Sequence, residues 1–243
     1  FDNPACIFIR NGKLMDIPYE VREIAGKTVR ESKFDIALGD MFAMVSDGVV
    51  FAGVGAILNL GWQWENVAQF FLECAQKKMS VHRVVASVAQ VVDNFYMGKP
   101  GDDSTFLVAQ AVPRKNVHFF SGPPVDKAKD EEIIRDFMRG SCKKIVAGGT
   151  SANIAARVLG RKIVTNLNFT DPAIPPTAQI RGIDLVTEGV LTINRALEIL
   201  RKFCEHNGEV DLKELDADNG AAQMARMLIE DCTDLTMFIG KAI

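Results

Sequence analysis

Histidine is scarce in this chain: His82, His118 and His206 are the only three in 243 residues, and they lie far apart. That leaves little for an imidazole-rich metal centre or for a Ser-His-Asp triad, whose general base is a histidine. Cysteine offers no framework either. Cys6, Cys74, Cys142, Cys204 and Cys232 make an odd number, and no two of them form a Cys-x-x-Cys pair. A disulfide scaffold and a zinc ribbon are therefore disfavoured, and a reducing, cytoplasmic compartment is expected. No block of Lys and Arg occurs and the formal net charge is -3, which argues against a nucleic-acid partner. Long apolar runs are missing as well. The least polar window, VVFAGVGAILNLGW, is shorter than the roughly 20 residues that span a bilayer and is rich in glycine, so no membrane partner is expected. No signal peptide is visible. The sequence opens on Phe1 and closes on the apolar LTMFIGKAI, so it reads as a slice of a longer protein.

What remains is an ordinary globular composition, 48% hydrophobic and 24% charged, with material for a sizeable core in one large or two small domains. Residues 5–18, ACIFIRNGKLMDIP, place two apolar runs around Asn11-Gly12, a strong hairpin signal. Strands are expected around Phe34 to Leu38, at Met41 to Val45 and over 105–112. Between the last two, WENVAQFFLECAQKK sets Trp64, Val67, Phe71 and Cys74 on one helical face. SVHRVVASVAQVVDNFY reads as a second amphipathic helix with Ser80 as its cap. SGPPVDKAKD, residues 121–130, has the composition of a linker. The pattern then changes to alternating strands and helices over 131–243, which implies a parallel or mixed sheet covered on both faces.

Two carboxylate motifs stand out in the first part. The apolar run Met41 to Val45 stops at Ser46-Asp47-Gly48, and GDDST puts Asp102 and Asp103 ahead of the next strand. Each alone is ordinary turn chemistry. Brought together, they make a hard, all-oxygen site of the kind that Mg²⁺ and Mn²⁺ favour. Two such ions can hold a bridging water and clamp a phosphoryl group. This chemistry needs neither histidine nor cysteine.

GDMFAMVSDGVVFAGVG, two amphipathic helices, then GDDSTFLVA: this order resembles the metal-dependent PPM-type protein serine/threonine phosphatases, in the bacterial branch typified by the stage-two sporulation phosphatase. The resemblance covers roughly residues 1–112. It implies a phosphatase sandwich of two sheets flanked by helices, of which residues 1–120 are the C-terminal part. It implies a regulatory signalling enzyme whose partner is a phosphoprotein substrate, with Mn²⁺ or Mg²⁺, two ions in the complete site, as cofactor. By the same resemblance Asp47 and Asp102 are the catalytic metal ligands. Asp103 stands where relatives often have Asn and is expected to orient the loop, and Gly39-Asp40 matches a structural turn. The family also has an earlier strand-borne Asp, followed by Gly, that bridges both metals. Asp2 precedes Asn3 and sits outside that pattern. The site is therefore expected to be incomplete here, active in a parent protein and weak or inactive in this chain.

In the second part, KKIVAGGTSANIAARVLG is strand, glycine turn, helix. Gly148 and Gly149 allow close backbone approach, and Thr150 or Ser151 can cap the helix. Such a turn either receives an anion on free amides or is a plain tight connection. It lacks both the P-loop lysine spacing and the dinucleotide fingerprint. A second strand end sets Thr187, Glu188 and Gly189 before another helix. In open α/β sheets ligands sit beyond the carboxyl ends of strands, so Gly148, Gly149, Thr150, Ser151, Thr187 and Glu188 are candidate ligand residues if both turns share one edge. Met224, Met227 and Leu228 share a helical face and are read as core. A homodimer is a further expectation.

Two other functions compete. One is a non-catalytic phosphatase-like scaffold whose α/β domain binds a small anion or a protein. The other is a haloacid-dehalogenase-type phosphatase, which wants Asp-x-Asp after a strand; Asp47 has Val45 and Val49 at those places.

Overall fold

The computed structural model describes residues 3–166, 174–205 and 212–242. Asp2, His206 and much of the proline-rich loop over 169–179 lie outside them. The protein is mixed α/β, with several sheets and helices, and divides into two compact units, Phe1–Pro113 and Arg114–Ile243. Among the described residues no helix is long and apolar enough to cross a membrane.

In the first unit, β1 (Ile7–Arg10) and β2 (Lys13–Met15) form the expected hairpin. Asn11 and Gly12 both take positive φ, 52° and 68°, as a two-residue turn with the twist of its strands requires. A second hairpin, β3 (Glu20–Ile24) and β4 (Lys27–Glu31), stands apart as its own two-stranded sheet. β5 (Met41–Val45) pairs antiparallel with β1, and β6 (Phe106–Gln110) with β5, giving the order β2-β1-β5-β6. α1 (Asp47–Val50) is a single turn after β5. α2 (Trp64–Gln76) and α3 (Val81–Tyr96) carry the two apolar stripes read from the sequence. Ile7, Ile9, Met41, Ala43 and Val45 bury against Val67, Phe71 and Cys74 of α2 and Val84, Val88 and Val92 of α3. Each large side chain so buried is worth about 1.5–3 kcal/mol.

Of the two-sheet sandwich, this unit contains one four-stranded sheet. Met44 and Leu107 are cross-strand partners on its other face and remain 47% and 55% exposed. Phe34 to Leu38 is not a strand. Phe34 instead packs on the Phe8–Phe42 stack, with ring centroids 5.0 Å from Phe8, and the backbone after it is drawn into a polar turn.

The second unit is built from β7 (Asn116–Ser121), α4 (Asp130–Met138), β8 (Lys143–Ala147), α5 (Gly149–Leu159), β9 (Val164–Thr165), β10 (Ala178–Gln179), β11 (Leu185–Thr187), α6 (Val190–Glu205), α7 (Leu212–Leu215), α8 (Gly220–Glu230) and β12 (Asp234–Ile239). The sheet order is β12-β7-β8-β11-β10-β9. Its first four strands are parallel, and β10 and β9 are antiparallel additions. Strand alternation sends Phe120, Val146 and Val186 to one face, against Ile134 and Phe137 of α4 and Ala152 and Ala155 of α5. Val117, Phe119, Ile145 and Leu185 go to the other, against Ala196 of α6 and Met224 and Met227 of α8.

The linker expected over 121–130 is a correction. Ser121 ends β7, which pairs with β8 on one side and β12 on the other. Asp126 then accepts from the Ala128 amide at 2.9 Å and caps a short 3-10 turn that leads into α4. The division falls earlier, at Pro113, because β7 is a central strand of the second sheet.

Asp40 fixes the polar turn of the first unit. Its side chain is buried, yet it receives Arg10 Nε at 2.9 Å, Arg10 Nη2 at 2.6 Å and the Ala37 amide at 2.7 Å. Arg10 Nη2 also donates to the Asp35 carbonyl at 2.8 Å. The Arg10 hydrogen bonds hold the Asp40 carboxyl below its ordinary value of 3.8. A depressed folded-state value means that the stabilisation is complete above the unfolded value and is lost as pH falls through the folded one. Asp40→Asn is therefore expected to lower the melting temperature at pH 7, with the gap to wild type closing as pH drops below 3.8. Melting curves across acid pH check this; a gap that is constant with pH contradicts it.

Candidate functional site

The two carboxylate motifs meet because β5 and β6 are neighbours in antiparallel register, Val45 opposite Phe106. The residue after Val45 extends the pairing. Ser46 N donates to the Thr105 carbonyl at 2.8 Å, and Ser46 Oγ accepts from the Thr105 amide at 2.9 Å. The same hydroxyl lies 3.2 Å from the Asp103 carbonyl, to which it donates. One serine thus staples Ser-Asp-Gly to Asp-Asp-Ser-Thr. Tyr96, the last residue of α3, adds a clamp from below: its hydroxyl donates to the Gly48 carbonyl at 2.7 Å.

Gly48 serves this contact. A Cβ there would stand 2.9 Å from the Asp103 carbonyl carbon and closer still to its oxygen. The glycine is needed for backbone approach rather than for an unusual turn. Asp47 and Asp102, carried by the two stapled segments, are exposed. Asp47 Oδ1 accepts from the Gly48 amide at 3.0 Å, and Asp102 Oδ1 accepts from the Asp103 amide at 2.8 Å. Each carboxylate is thereby oriented by the backbone that follows it.

In kind, these donors fit a hard divalent cation, since they are carboxylate oxygens on well-held strand ends. In number they are a partial set. Among the described residues no group of three or more His, Cys, Asp and Glu side chains converges to hold a metal ion. Asp103 belongs to the same loop as Asp102, and its carbonyl is taken up by Ser46.

In the second unit the two glycine turns lie on one edge. β8 and β11 are parallel neighbours with Ala147 opposite Thr187, and the Gly148 amide donates to the Thr187 carbonyl at 3.0 Å. A Cβ on Gly189 would be 3.4 Å from Gly148 Cα, so Glu188 sits beside the start of α5. Gly148 has φ 110° and caps α5 without a side-chain bond. Ser151 and Thr187 are buried, whereas Gly149, Thr150 and Glu188 are exposed. Sequence reasoning missed two residues here, Thr192 and Gly220. A Cβ on Gly220 would be 3.1 Å from the Thr187 methyl and 3.3 Å from that of Thr192. The signal for Gly220 was Asn219, whose side chain caps α8 by accepting from the Ala222 amide at 2.9 Å.

The second unit also has a cleft of about 690 Å³ at the opposite edge, lined by Arg114, Lys115, Lys143, Lys144, Asp184 and Asp231 among others. Its cations are already engaged: Arg114 with Asp234, Lys143 with Asp231 at 2.7 Å, and Lys144 Nζ with the Cys142 carbonyl at 2.9 Å.

No family model matches the chain, and no curated protein matches it. Among solved structures, it is similar to the phosphatase domain of the cell fate determinant SpoIIE from Bacillus subtilis, at 18% identity and a TM-score of 0.28. The match covers 44% of this chain and 48% of that one, so the chain spans about half the length of that domain. At that TM-score the likeness carries no argument.

The staple makes a stability prediction. Gly48→Ala drives a methyl into the Asp103 backbone and is expected to destabilise the first unit by about 1–3 kcal/mol. Urea denaturation of the whole chain reads this; an unchanged midpoint would mean that the 102–105 loop yields freely.

Proposed function

We propose that the first unit is part of a metal-dependent phosphatase catalytic domain acting on phosphoserine or phosphothreonine in a protein, and that Asp47 and Asp102 are two of its metal ligands. The observation that carries this reading is the staple. Ser46 and Gly48 hold two short acidic segments, 55 residues apart in sequence from Asp47 to Asp102, side by side at adjoining strand ends, and Tyr96 ties the first of them to the end of α3. A solvated turn has no need of such a clamp. Mn²⁺ or Mg²⁺ held there would supply Lewis acidity toward a phosphoryl oxygen and an activated water. The chain's own contribution is to orient the two carboxylates through the Gly48 and Asp103 amides and to keep them at the solvent edge, where a bulky phosphoprotein can reach them. The half-exposed Met44–Leu107 pair supports the same reading, since it leaves one sheet face for the second layer of a sandwich.

One observation favours a second reading, a phosphatase-like scaffold without catalysis: the described residues gather no third ligand. Hydrolysis separates the two. With Mn²⁺, the 243-residue chain is expected to turn over a phosphoserine peptide slowly or not at all. A protein that carries this chain together with a further strand-borne, metal-bridging Asp is expected to be active.

In that active protein, Asp47→Ala and Asp102→Ala should each lower kcat/KM by more than the roughly 10–100-fold typical of losing an outer partner of a metal site. Asp103→Asn should be milder, because it keeps the backbone that Ser46 binds. Phosphate release at saturating Mn²⁺ is the measurement. Wild-type turnover by Asp47→Ala would remove Asp47 from the site, and inactivity of the longer protein would leave the scaffold reading.

A further inference from the structure

Three hydroxyls are buried without partners where β8 and β11 end. Ser151 is 1% exposed, Thr187 4% and Thr192 0%, and none of their hydroxyl oxygens has a hydrogen-bond partner among the described residues. Folded proteins rarely leave such groups unpaired, and a cluster of them asks for an explanation. The Thr187 and Thr192 methyls both pack toward Gly220 of α8, so that contact occupies the apolar branch of each side chain and not the hydroxyl. Ser151 Oγ lies 3.6 Å from the point where a Cβ on Gly148 would stand, so it faces the turn at the start of α5.

That turn is furnished with donors and has open space in front of it. α5 runs for 11 residues, and its first intrahelical bond is from the Ala152 amide to the Gly148 carbonyl, at 2.9 Å. The amides of Gly149, Thr150 and Ser151 precede it and have no acceptor within the helix. No side chain caps them. Among the described residues, and apart from its chain neighbours and the backbone of its own helix, nothing lies within 4 Å of a Cβ built on Gly149. Helix-start amides with a partial positive charge suit an anion, and the buried Ser151 hydroxyl adds a fourth donor. Glu188 stands at the neighbouring turn. A carboxylate repels a bare anion but accepts well from the hydroxyls of a sugar or polyol, as acidic residues at the strand ends of dinucleotide-binding folds do.

We propose that this edge of the second unit binds a small molecule carrying both a phosphate monoester and free hydroxyls. The phosphate takes the Gly149, Thr150 and Ser151 amides and the Ser151 hydroxyl, and Glu188 accepts from the hydroxyls. This site is independent of the metal-dependent reading of the first unit.

Amide NMR on the 243-residue chain tests it, with ribose 5-phosphate, inorganic phosphate and ribose as probes. Ribose 5-phosphate is expected to shift the amides of Gly149, Thr150 and Ser151 at lower concentration than inorganic phosphate does, and ribose is expected to shift none of them. Gly149→Val fills the open space and should abolish the shifts. Ser151→Ala should weaken binding roughly tenfold, the loss of one hydrogen bond to a charged group. It should also melt at or above the wild-type temperature, because it removes an unpaired buried hydroxyl. If Gly149→Val fails to fold, Ser151→Ala decides. Absence of shifts at 149–151 with ribose 5-phosphate overturns the proposal, as does undiminished binding by Ser151→Ala. Equal affinity for ribose 5-phosphate and inorganic phosphate overturns the role given to Glu188.

Discussion

The closeness of Gly48 to the Asp103 carbonyl is the constraint on which the meeting of the two acidic segments in the first unit depends. Strand pairing alone brings β5 and β6 within hydrogen-bonding distance, but it stops at Val45 and Phe106. Beyond that point the two chains would ordinarily splay. Here they stay together because one side lacks a side chain and the other offers its backbone to Ser46. The carboxylates of Asp47 and Asp102 then project from a junction that cannot open without breaking the Ser46 bonds to Asp103 and Thr105. A site assembled from two loops needs such a junction, since carboxylates repel and would separate if they were free to do so.

Much of the fold was legible because periodicity reports burial. The α2 face was read correctly in Val67, Phe71 and Cys74, which lie in the core with Trp64 packed partly buried against it; α3 was read only as amphipathic, and the structure places Val84, Val88 and Val92 on its buried side. Asn11-Gly12 gave its hairpin for a local reason, the ease with which those two residues take positive φ. The misses have physical causes too. β3 and β4 are almost wholly solvent-exposed, with charged residues along both strands, so no apolar pattern marked them. Phe34 to Leu38 looked like a strand, but only Phe34 is packed, on an aromatic stack, while Ile36 and Leu38 are exposed and the Ala37 amide is drawn into a turn closed by Asp40. Asn116–Ser121 was overshadowed by the proline-rich stretch after it, although Val117, Phe119 and Phe120 bury both faces of a parallel strand.

The candidate sites were legible only in part. Asp47 and Asp102 could be named from motif order. What holds them could not, because Ser46 and Tyr96 act through pairings across 59 and 48 residues. In the second unit, the glycine turn was visible and so was the strand end at Thr187. Their adjacency depended on β8 and β11 being parallel neighbours, which no local pattern fixes. Thr192 was invisible for another reason: a threonine in the first turn of a helix is so common that its hydroxyl is taken to face water until burial is known.

The second unit also shows why charge is a poor guide to where a ligand goes. Its cleft at the strand N-terminal edge gathers two arginine- and lysine-rich segments and would attract attention on that ground. Yet Asp231 and Asp234 pair with the cations there, and Arg114 keeps the Asp234 carboxyl below its usual range by hydrogen bonding. That edge is electrostatically closed on itself. The opposite edge has no cation in its turns, but among the described residues the amides of Gly149, Thr150 and Ser151 have no acceptor within their helix and the buried hydroxyls of Ser151, Thr187 and Thr192 have no partner. Exposed ion pairs contribute little and are screened by salt, whereas an unpaired buried donor carries its full desolvation penalty until something bonds to it. The stronger demand for a partner therefore lies where formal charge is absent, at the carboxyl ends of β8 and β11.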